Sequence, residues 1–140
     1  MIEVKRTNEY EREDINKFFQ TRLDTIKNEP QLLHCGWFVE MEGETSGFFS
    51  LVPVTERAVW IRSVLLKEGM DPAFIMTVMQ LVQKKAEEEG YQDVYVLCHQ
   101  SALEPLFLAN QFTPIEESAI PSELHEQDIP QGSWWRFEIN

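Results

Sequence analysis

The chain has 140 residues, of which 43% are hydrophobic and 26% charged, a composition typical of one soluble globular domain with its own core. Its 24 acidic and 12 basic residues give a formal net charge of -12, which repels nucleic acid and anionic membrane surfaces. We therefore expect a single domain over residues 1–140 that binds neither nucleic acid nor membranes.

No apolar run follows Lys5 and Arg6, and no stretch reaches the roughly 18 apolar residues of a membrane span, so we expect a cytoplasmic protein. Two cysteines are too few for a disulfide framework and are expected to be reduced core residues. The pairs His34–Cys35 and Cys98–His99 contain zinc-type ligands. Because their predicted strands lie three positions apart, no metal site is predicted.

Alternating apolar and polar residues predict a first strand over Ile2–Lys5. Asn8 and Glu11 have the spacing of a capping pair, which predicts that a helix follows. Pro30 is expected to end this region. The predicted apolar stripe of the helix is Ile15, Phe18, Phe19, Leu23 and Ile26.

From Leu32 to Leu66 a period of two predicts three antiparallel strands. Arg62, predicted on the face opposite Ile61, is interpreted as a substrate or phosphate contact or as a paired arginine of the sheet. The residues predicted to share one face are Cys35, Trp37, Val39, Met41, Phe49, Leu51, Val59, Ile61, Ser63 and Leu65.

Asp71 as the N-cap and Pro72 at the first helical position predict a long helix that runs to about Glu89 and ends at Gly90. The apolar strand over residues 93–98 is expected to lie parallel to the strand before this helix, through a right-handed crossover. The predicted buried stripe of the helix is Phe74, Ile75, Val78, Met79, Leu81, Val82 and Ala86.

A short helix near residues 104–110 and two strands near residues 112–116 and 134–139 complete the predicted order. The fold class is α/β (α+β): a mixed, mostly antiparallel sheet of about six to seven strands, with helices on both faces and one parallel pair. Trp134 and Trp135 are interpreted as part of a dimer interface or substrate wall, or as residues that close the core.

Three segments occur in this order of elements: the hairpin Gly43–Gly47, the helix ending Ala86–Gly90 before an apolar strand, and Leu106–Phe112. Together they resemble the GCN5-related N-acetyltransferase (GNAT) superfamily over nearly the whole chain. The resemblance implies the GNAT fold, acetyl-CoA as cofactor, and transfer of its acetyl group to a small amine.

In that family an Arg/Gln-x-x-Gly-x-Gly/Ala turn presents backbone N–H groups to the pyrophosphate of acetyl-CoA. The resemblance aligns this turn with Met70–Ile75, where no glycine is present and Pro72 removes one N–H. The segment is interpreted either as a capped helix start or as a pyrophosphate cradle that tolerates substitution. The cofactor-binding residues that the resemblance implies are Val64, Leu65, Leu66, Met70, Ala73, Phe74, Ile75, Gln100 and Phe107.

Two residues are candidate bases for deprotonating an amine. His99 ends a predicted strand and carries an imidazole, which titrates near neutral pH, and Glu68 follows the fourth strand and would act through water. Phe107 stands where many family members carry an acidic tyrosine hydroxyl. The alternative hypothesis is therefore a noncatalytic GNAT-fold module that binds a ligand or a protein, and a homodimer built on the aromatic tail is compatible with this alternative.

Overall fold

The computed structural model describes residues 2–19, 33–67, 69–71, 73–98, 101–125 and 132–139. The strands within them are β1 (Ile2–Arg6), β2 (Gly36–Met41), β3 (Glu44–Pro53), β4 (Ala58–Leu66), β5 (Asp93–Cys98), β6 (Thr113–Pro114) and β7 (Ser133–Glu138). The α-helices are α1 (Arg12–Phe19), α2 (Phe74–Glu88), α3 (Glu104–Ala109) and α4 (Ser122–His125). Short 3₁₀ turns cover Thr7–Glu9, Ser101–Leu103 and Glu117–Ala119.

The seven strands form one mixed sheet in the order β1-β2-β3-β4-β5-β7-β6. Strands β4 and β5 are parallel and are joined through α2, while the other neighbouring pairs are antiparallel. The meander and the single parallel pair predicted from the sequence are therefore confirmed. The crossover through α2 follows from the strand, helix and strand pattern over residues 58–98.

One face of the sheet is covered by α2 and α3. The buried stripe of α2 is as predicted, with Val78, Met79, Val82 and Ala86 at most 2% exposed. These residues pack against alternate strand residues and form what we call the central cluster. Its buried members are Trp37, Val39, Phe49, Leu51, Val59, Ile61, Val78, Met79, Val82, Ala86, Val94, Val96, Cys98, Phe107, Phe112 and Trp135.

The opposite face carries two smaller clusters. The α1 cluster consists of Ile15, Phe18, Phe19, Phe38 and Phe48. The rings of its four phenylalanines meet at edge-on and tilted angles. The α4 cluster consists of Cys35, Val52, Ala58, Trp60, Tyr95, Leu124 and Trp134. Since Trp134 belongs to the α4 cluster and Trp135 to the central cluster, β7 closes the core on both faces of the sheet.

The capping pair predicted at Asn8 and Glu11 is wrong. Instead, the Arg6 backbone N–H donates to Glu9 Oε2 at 3.0 Å across the 3₁₀ turn, and α1 begins at Arg12. Buried Thr7 anchors this turn, because its hydroxyl donates to the Leu33 carbonyl from a distant part of the chain. The predicted helix residues Leu23 and Ile26, and the predicted end at Pro30, lie outside the described residues.

The predicted face of Cys35 is also wrong. It precedes β2 and packs in the α4 cluster rather than beside Trp37 in the central cluster. The Cys35 carbonyl accepts a hydrogen bond from the Leu51 N–H at 3.0 Å, which fixes the chain where it enters the sheet. Cys98 lies in the central cluster, so the two thiols occupy opposite faces of the sheet.

Helix α2 begins at Phe74, two residues after the first helical position predicted at Pro72, and its N-cap is Ala73 rather than Asp71. Its other end is as predicted: the helix stops at Glu88 and Gly90 has a φ of 90°. The N–H of Tyr91 donates to the Ala86 carbonyl at 3.0 Å, which closes the last turn in the manner of a Schellman motif.

Candidate functional site

Strands β4 and β5 run together for only part of their length. Their parallel pairing extends from Ala58 opposite Asp93 to Ile61 opposite Val96. Beyond these residues, no pairing joins the two strands in the described part of the chain, and the end of β5 continues to pair with β7 alone. We call the region between residues 62–66 of β4 and the end of β5 the strand gap.

A β-bulge lies where the gap begins. Ser50 of β3 pairs with Ser63, whereas Leu51 pairs with Ile61, so Arg62 is an extra residue on β4. Such a residue bends its strand and increases the local twist. The bulge therefore explains why β4 leaves β5 at this position.

The bulge also reverses the alternation of side chains along β4. Val64 and Leu66 pack against the central cluster, as Val59 and Ile61 do before the bulge, and Leu65 packs against the α1 cluster. The sequence prediction that Leu65 shares a face with Ile61 is wrong, because one inserted residue exchanges the two faces of a strand.

The guanidinium of Arg62 lies 5.2 Å from the ring centroid of Trp60, which is 3% exposed. A cation over an indole ring is an attractive contact, and here it lies on the side of β4 that faces the α4 cluster. Nearby, the hydroxyl of Ser50 is fully buried and has no hydrogen-bond partner among the described residues. The bulge is thus bordered by one aromatic contact and one buried hydroxyl.

A tight turn follows β4 and leads the chain back to α2. The N–H of Lys67 donates to the Ser46 carbonyl at 2.9 Å, which extends the ladder with β3. The N–H of Met70 then donates to the Lys67 carbonyl at 3.1 Å, and Gly69 adopts a φ of 86° within the turn. Glycine is favoured at Gly69 because other L-residues rarely adopt this conformation.

The start of α2 is closed by Asp71. Its carboxylate Oδ1 accepts the N–H of Ala73 at 2.9 Å, and its carbonyl accepts the N–H of Phe74, also at 2.9 Å. An aspartate that bonds the backbone two residues ahead forms an Asx-turn, a common way to satisfy amide donors before a helix. Two N–H groups of the segment aligned with the pyrophosphate turn are therefore already paired within the chain.

The lysine beside this turn is also paired. Lys67 Nζ lies 2.8 Å from Glu44 Oε1, which belongs to the hairpin between β2 and β3. The hydrogen bond from Lys67, together with its charge, lowers the pKa of Glu44, so this carboxylate is ionised at neutral pH. Together with the exposed Asp71, the described residues border the turn with two carboxylates and one ammonium group.

The structure brings together five of the predicted cofactor-binding residues. Phe107 is buried in the central cluster, with its ring centroid 5.9 Å from Phe112 and 5.8 Å from Trp135. The other four, Val64, Leu66, Phe74 and Ile75, are partly buried against the same cluster.

The remaining predicted site residues lie elsewhere. Leu65 faces the α1 cluster, Met70 is half-buried in the turn, and Ala73 is exposed. The predictions for His99, Gln100 and Glu68 fall outside the described residues.

Sequence reasoning missed that Glu44 and Asp71 border the site. Asp71 was interpreted as a helix cap. An aspartate before a helix is equally typical of an Asx-turn, in which its carboxylate accepts the N–H of the residue two positions later. Glu44 had a clearer signal, because the short hairpins of the meander bring the start of β3 beside the end of β4.

A second concavity lies near the other end of α2. It has a volume of about 580 Å³ and lies between Gln83, Lys84 and Glu87 of α2 and the end of β7. Arg136 in its wall contacts Glu138 at 3.4 Å and Asp93 at 3.9 Å, so its charge is already balanced. We find no convergent reactive group there and place the candidate site at the strand gap.

In the part of the chain that is described, no group of three or more His, Cys, Asp and Glu side chains is arranged to hold a metal ion. Among the described helices, none has both the length and the apolar character needed to cross a membrane.

Comparison with solved structures assigns this architecture. An acetyltransferase of the GNAT family from Staphylococcus aureus Mu50 superposes with a TM-score of 0.69 at 15% identity and is covered over 100% of both chains. The chain has the GNAT fold. The N-acetyltransferase PseH of Campylobacter jejuni, solved in complex with acetyl coenzyme A, matches this GNAT-fold chain with a TM-score of 0.69 at 12% identity, over 99% of each chain.

A third match is N-acetylglutamate synthase from Neisseria gonorrhoeae, solved with coenzyme A and N-acetyl-glutamate. Its TM-score is 0.71 at 10% identity, and all of the GNAT-fold chain aligns with 35% of that enzyme, so the chain spans about a third of its length. No known family profile matches the sequence, and no curated protein sequence matches it. At these identities the likeness concerns the fold.

Proposed function

We propose that the chain is an acyl-CoA-dependent N-acetyltransferase that acts on a small amine. The observation that carries the proposal is the strand gap, where a bulge parts the only parallel strand pair of the described sheet directly before the turn into α2. Structural neighbours solved with coenzyme A or its acetyl thioester have the same fold. A site between parting strands is also a common position for ligands in sheets with parallel strands.

Two features of the gap suit the thioester and pantetheine arm of the donor. Val64 and Leu66 give one side of β4 an apolar surface, and the facing edges of β4 and β5 are not paired with each other beyond Ile61 and Val96. Backbone N–H and C=O groups along such an edge are suited to bind the amides of an extended arm, as they would bind another strand. Residues 64–66 and residues beyond the end of β5 would hold the arm.

Acetyl-CoA would supply an activated acyl group, whose C–S bond breaks as a C–N bond to the amine forms. The amine must lose one proton, and the departing sulfur gains one to become a thiol. We propose His99 as the base and Glu68 as a base that acts through water. Backbone N–H groups on the edge of the gap would stabilise the oxyanion.

A titration and an activity assay test this proposal. Calorimetry with acetyl-CoA is expected to show saturable binding, and release of free thiol should depend on a small primary amine. His99→Gln is expected to lower kcat/KM by about 10²-fold to 10⁴-fold. Glu68→Gln is the matched variant for the second proposed base. Absence of thiol release across a panel of small mono-, di- and polyamines would overturn the enzymatic assignment.

Two observations favour a noncatalytic binding module as the second candidate. Phe107, at the position of the family's acidic tyrosine, is 4% exposed and carries no transferable proton. Asp71 already binds two backbone N–H groups of the turn. In this case acetyl-CoA would bind weakly or not at all, and no amine would accelerate thiol release. Homodimer formation is a separate prediction, tested by sedimentation of the full chain.

A further inference from the structure

Recognition of a polyphosphate requires positive charge and unpaired hydrogen-bond donors. In this chain, the cation and the two N–H donors described near the turn before α2 are already paired with other residues. At the turn between β4 and α2, the nearest described cation is Lys67, and Glu44 holds it at 2.8 Å. The N–H groups of Ala73 and Phe74 donate to Asp71 at 2.9 Å each. Each of these groups thus already has a partner within the chain before any ligand arrives.

An incoming pyrophosphate would have to displace two carboxylates. It would approach Asp71, which is exposed and carries a negative charge, and would compete with Glu44 for the same ammonium group. Like charges within a few ångströms repel, and the pyrophosphate would have to replace an ion pair that already exists, so this competition is unfavourable. Residues 64–66 of β4 have no such obstacle, since Val64 and Leu66 on one face of the strand are uncharged hydrocarbon side chains.

We infer that Asp71 and Glu44 are specificity-determining residues: they occupy the groups that would bind a pyrophosphate and direct recognition to the thioester and pantetheine arm of the acyl donor. The inference rests on the proposed function and narrows its donor class. A short acyl-pantetheine thioester should then bind nearly as well as acetyl-CoA, because the nucleotide and its phosphates add little.

The experiment compares acetyl-CoA with S-acetylpantetheine, which has the same thioester and arm but no phosphate. For the unmodified protein, the two dissociation constants measured by calorimetry are expected to differ by less than about threefold, and neither should weaken strongly with salt. If acetyl-CoA binds more than about thirtyfold tighter than S-acetylpantetheine, the phosphates are recognised and the inference is overturned.

Variants of the two carboxylates give the second arm. Asp71→Ala with Glu44→Gln releases the Ala73 N–H and Lys67, and is expected to tighten acetyl-CoA binding by about tenfold or more, in a salt-sensitive manner, while leaving S-acetylpantetheine unchanged. Glu87→Gln is the control for the loss of one carboxylate charge, because Glu87 lies near the far end of α2, about 20 Å away along the helix. An unchanged acetyl-CoA affinity in a folded double variant would overturn the inference.

Folding is controlled separately. Asp71→Asn keeps an oxygen that can accept the Ala73 N–H and removes only the charge, so it should preserve the start of α2 if Asp71→Ala does not. With Glu44→Gln it is expected to tighten acetyl-CoA binding severalfold. Thermal melts followed by circular dichroism identify which variants remain folded.

Failure of the proposed function has a different signature. If the unmodified protein binds neither donor but the double variant gains acetyl-CoA binding, the carboxylates block the phosphates as inferred, and the assignment as an acetyltransferase is wrong. If neither protein binds either donor, both the proposed function and the inference are overturned.

Discussion

The two halves of β4 differ in their neighbours and in their burial. Before the bulge, Val59 and Ile61 are at most 3% exposed and lie between paired strands on both sides. After it, Val64 and Leu66 are half-buried, and β5 has moved away. One extra residue, Arg62, thus divides a single strand into a half that holds the fold together and a half suited to bind a ligand.

The largest expected effect is a difference between the two halves of β4 in how much a truncated side chain lowers the free energy of unfolding. Ile61→Ala should lower the free energy of unfolding by about 2–5 kcal/mol, because it removes a buried side chain and leaves a cavity. Val64→Ala, the matched change after the bulge, should cost about 1 kcal/mol, because that side chain is only half-buried. Urea unfolding measures both, and equal losses would contradict the distinction.

A smaller effect concerns a polar contact on β2. The Tyr10 hydroxyl donates to Glu40, whose side chain is 13% exposed and also lies 3.3 Å from Lys5. Tyr10→Phe is expected to cost about 1–2 kcal/mol at neutral pH, because it removes a donor from a carboxylate. Since Glu40 lies on a strand two positions from β4, donor binding in the gap should be unchanged.

The loss from Tyr10→Phe should depend on pH. The hydrogen bond from Tyr10, followed by the contact with Lys5, lowers the pKa of Glu40 in the folded protein. Its contribution is therefore present above the usual carboxyl range near about 4.3 and is lost as the pH falls through the lowered value. The stability difference between the two proteins should shrink in acid, and a constant difference from pH 7 to pH 3 would contradict the role of Glu40.

Two glycines lie at opposite ends of the crossover from β4 to β5, and only Gly69 lies beside the strand gap. Gly69 has a φ of 86° in the turn after the gap, and Gly90 has a φ of 90° where α2 leads into β5. Each change to alanine should cost about 1 kcal/mol through backbone strain, measured by urea unfolding. Only Gly69→Ala should also alter donor affinity in calorimetry, and an equal effect from Gly90→Ala would argue against the site at the gap.

The smallest expected effect tests the residue that forms the bulge. Arg62→Ala removes the cation over the Trp60 ring and should cost about 0.5–1 kcal/mol in urea unfolding. The bulge is a property of the backbone register, so the strand gap should remain. Amide exchange of residues 64–66 should therefore be similar in the variant, whereas strong new protection there would show that the side chain maintains the gap.

Much of the fold could be predicted from local patterns. The stripe of α2, the stop at Gly90 and the parallel order of β4 and β5 were predicted because helical period, a glycine terminator and a strand, helix and strand sequence leave few alternatives. The faces of Cys35 and Leu65 were predicted wrongly. Both errors arise where the backbone is irregular, at the entry to β2 and at the bulge of β4. A prediction based on strict alternation of side chains does not account for such irregularities.

By itself, the sequence determined the order of elements, the buried stripes and the absence of glycine from residues 70–75, since these depend on residue type and spacing along the chain. The tertiary structure decided where β4 parts from β5, that Glu44 reaches Lys67, and that Asp71 closes the start of α2. These features depend on strand register and on side chains from different hairpins meeting in space. The pairing of Lys67 with a residue 23 positions away is set by that register.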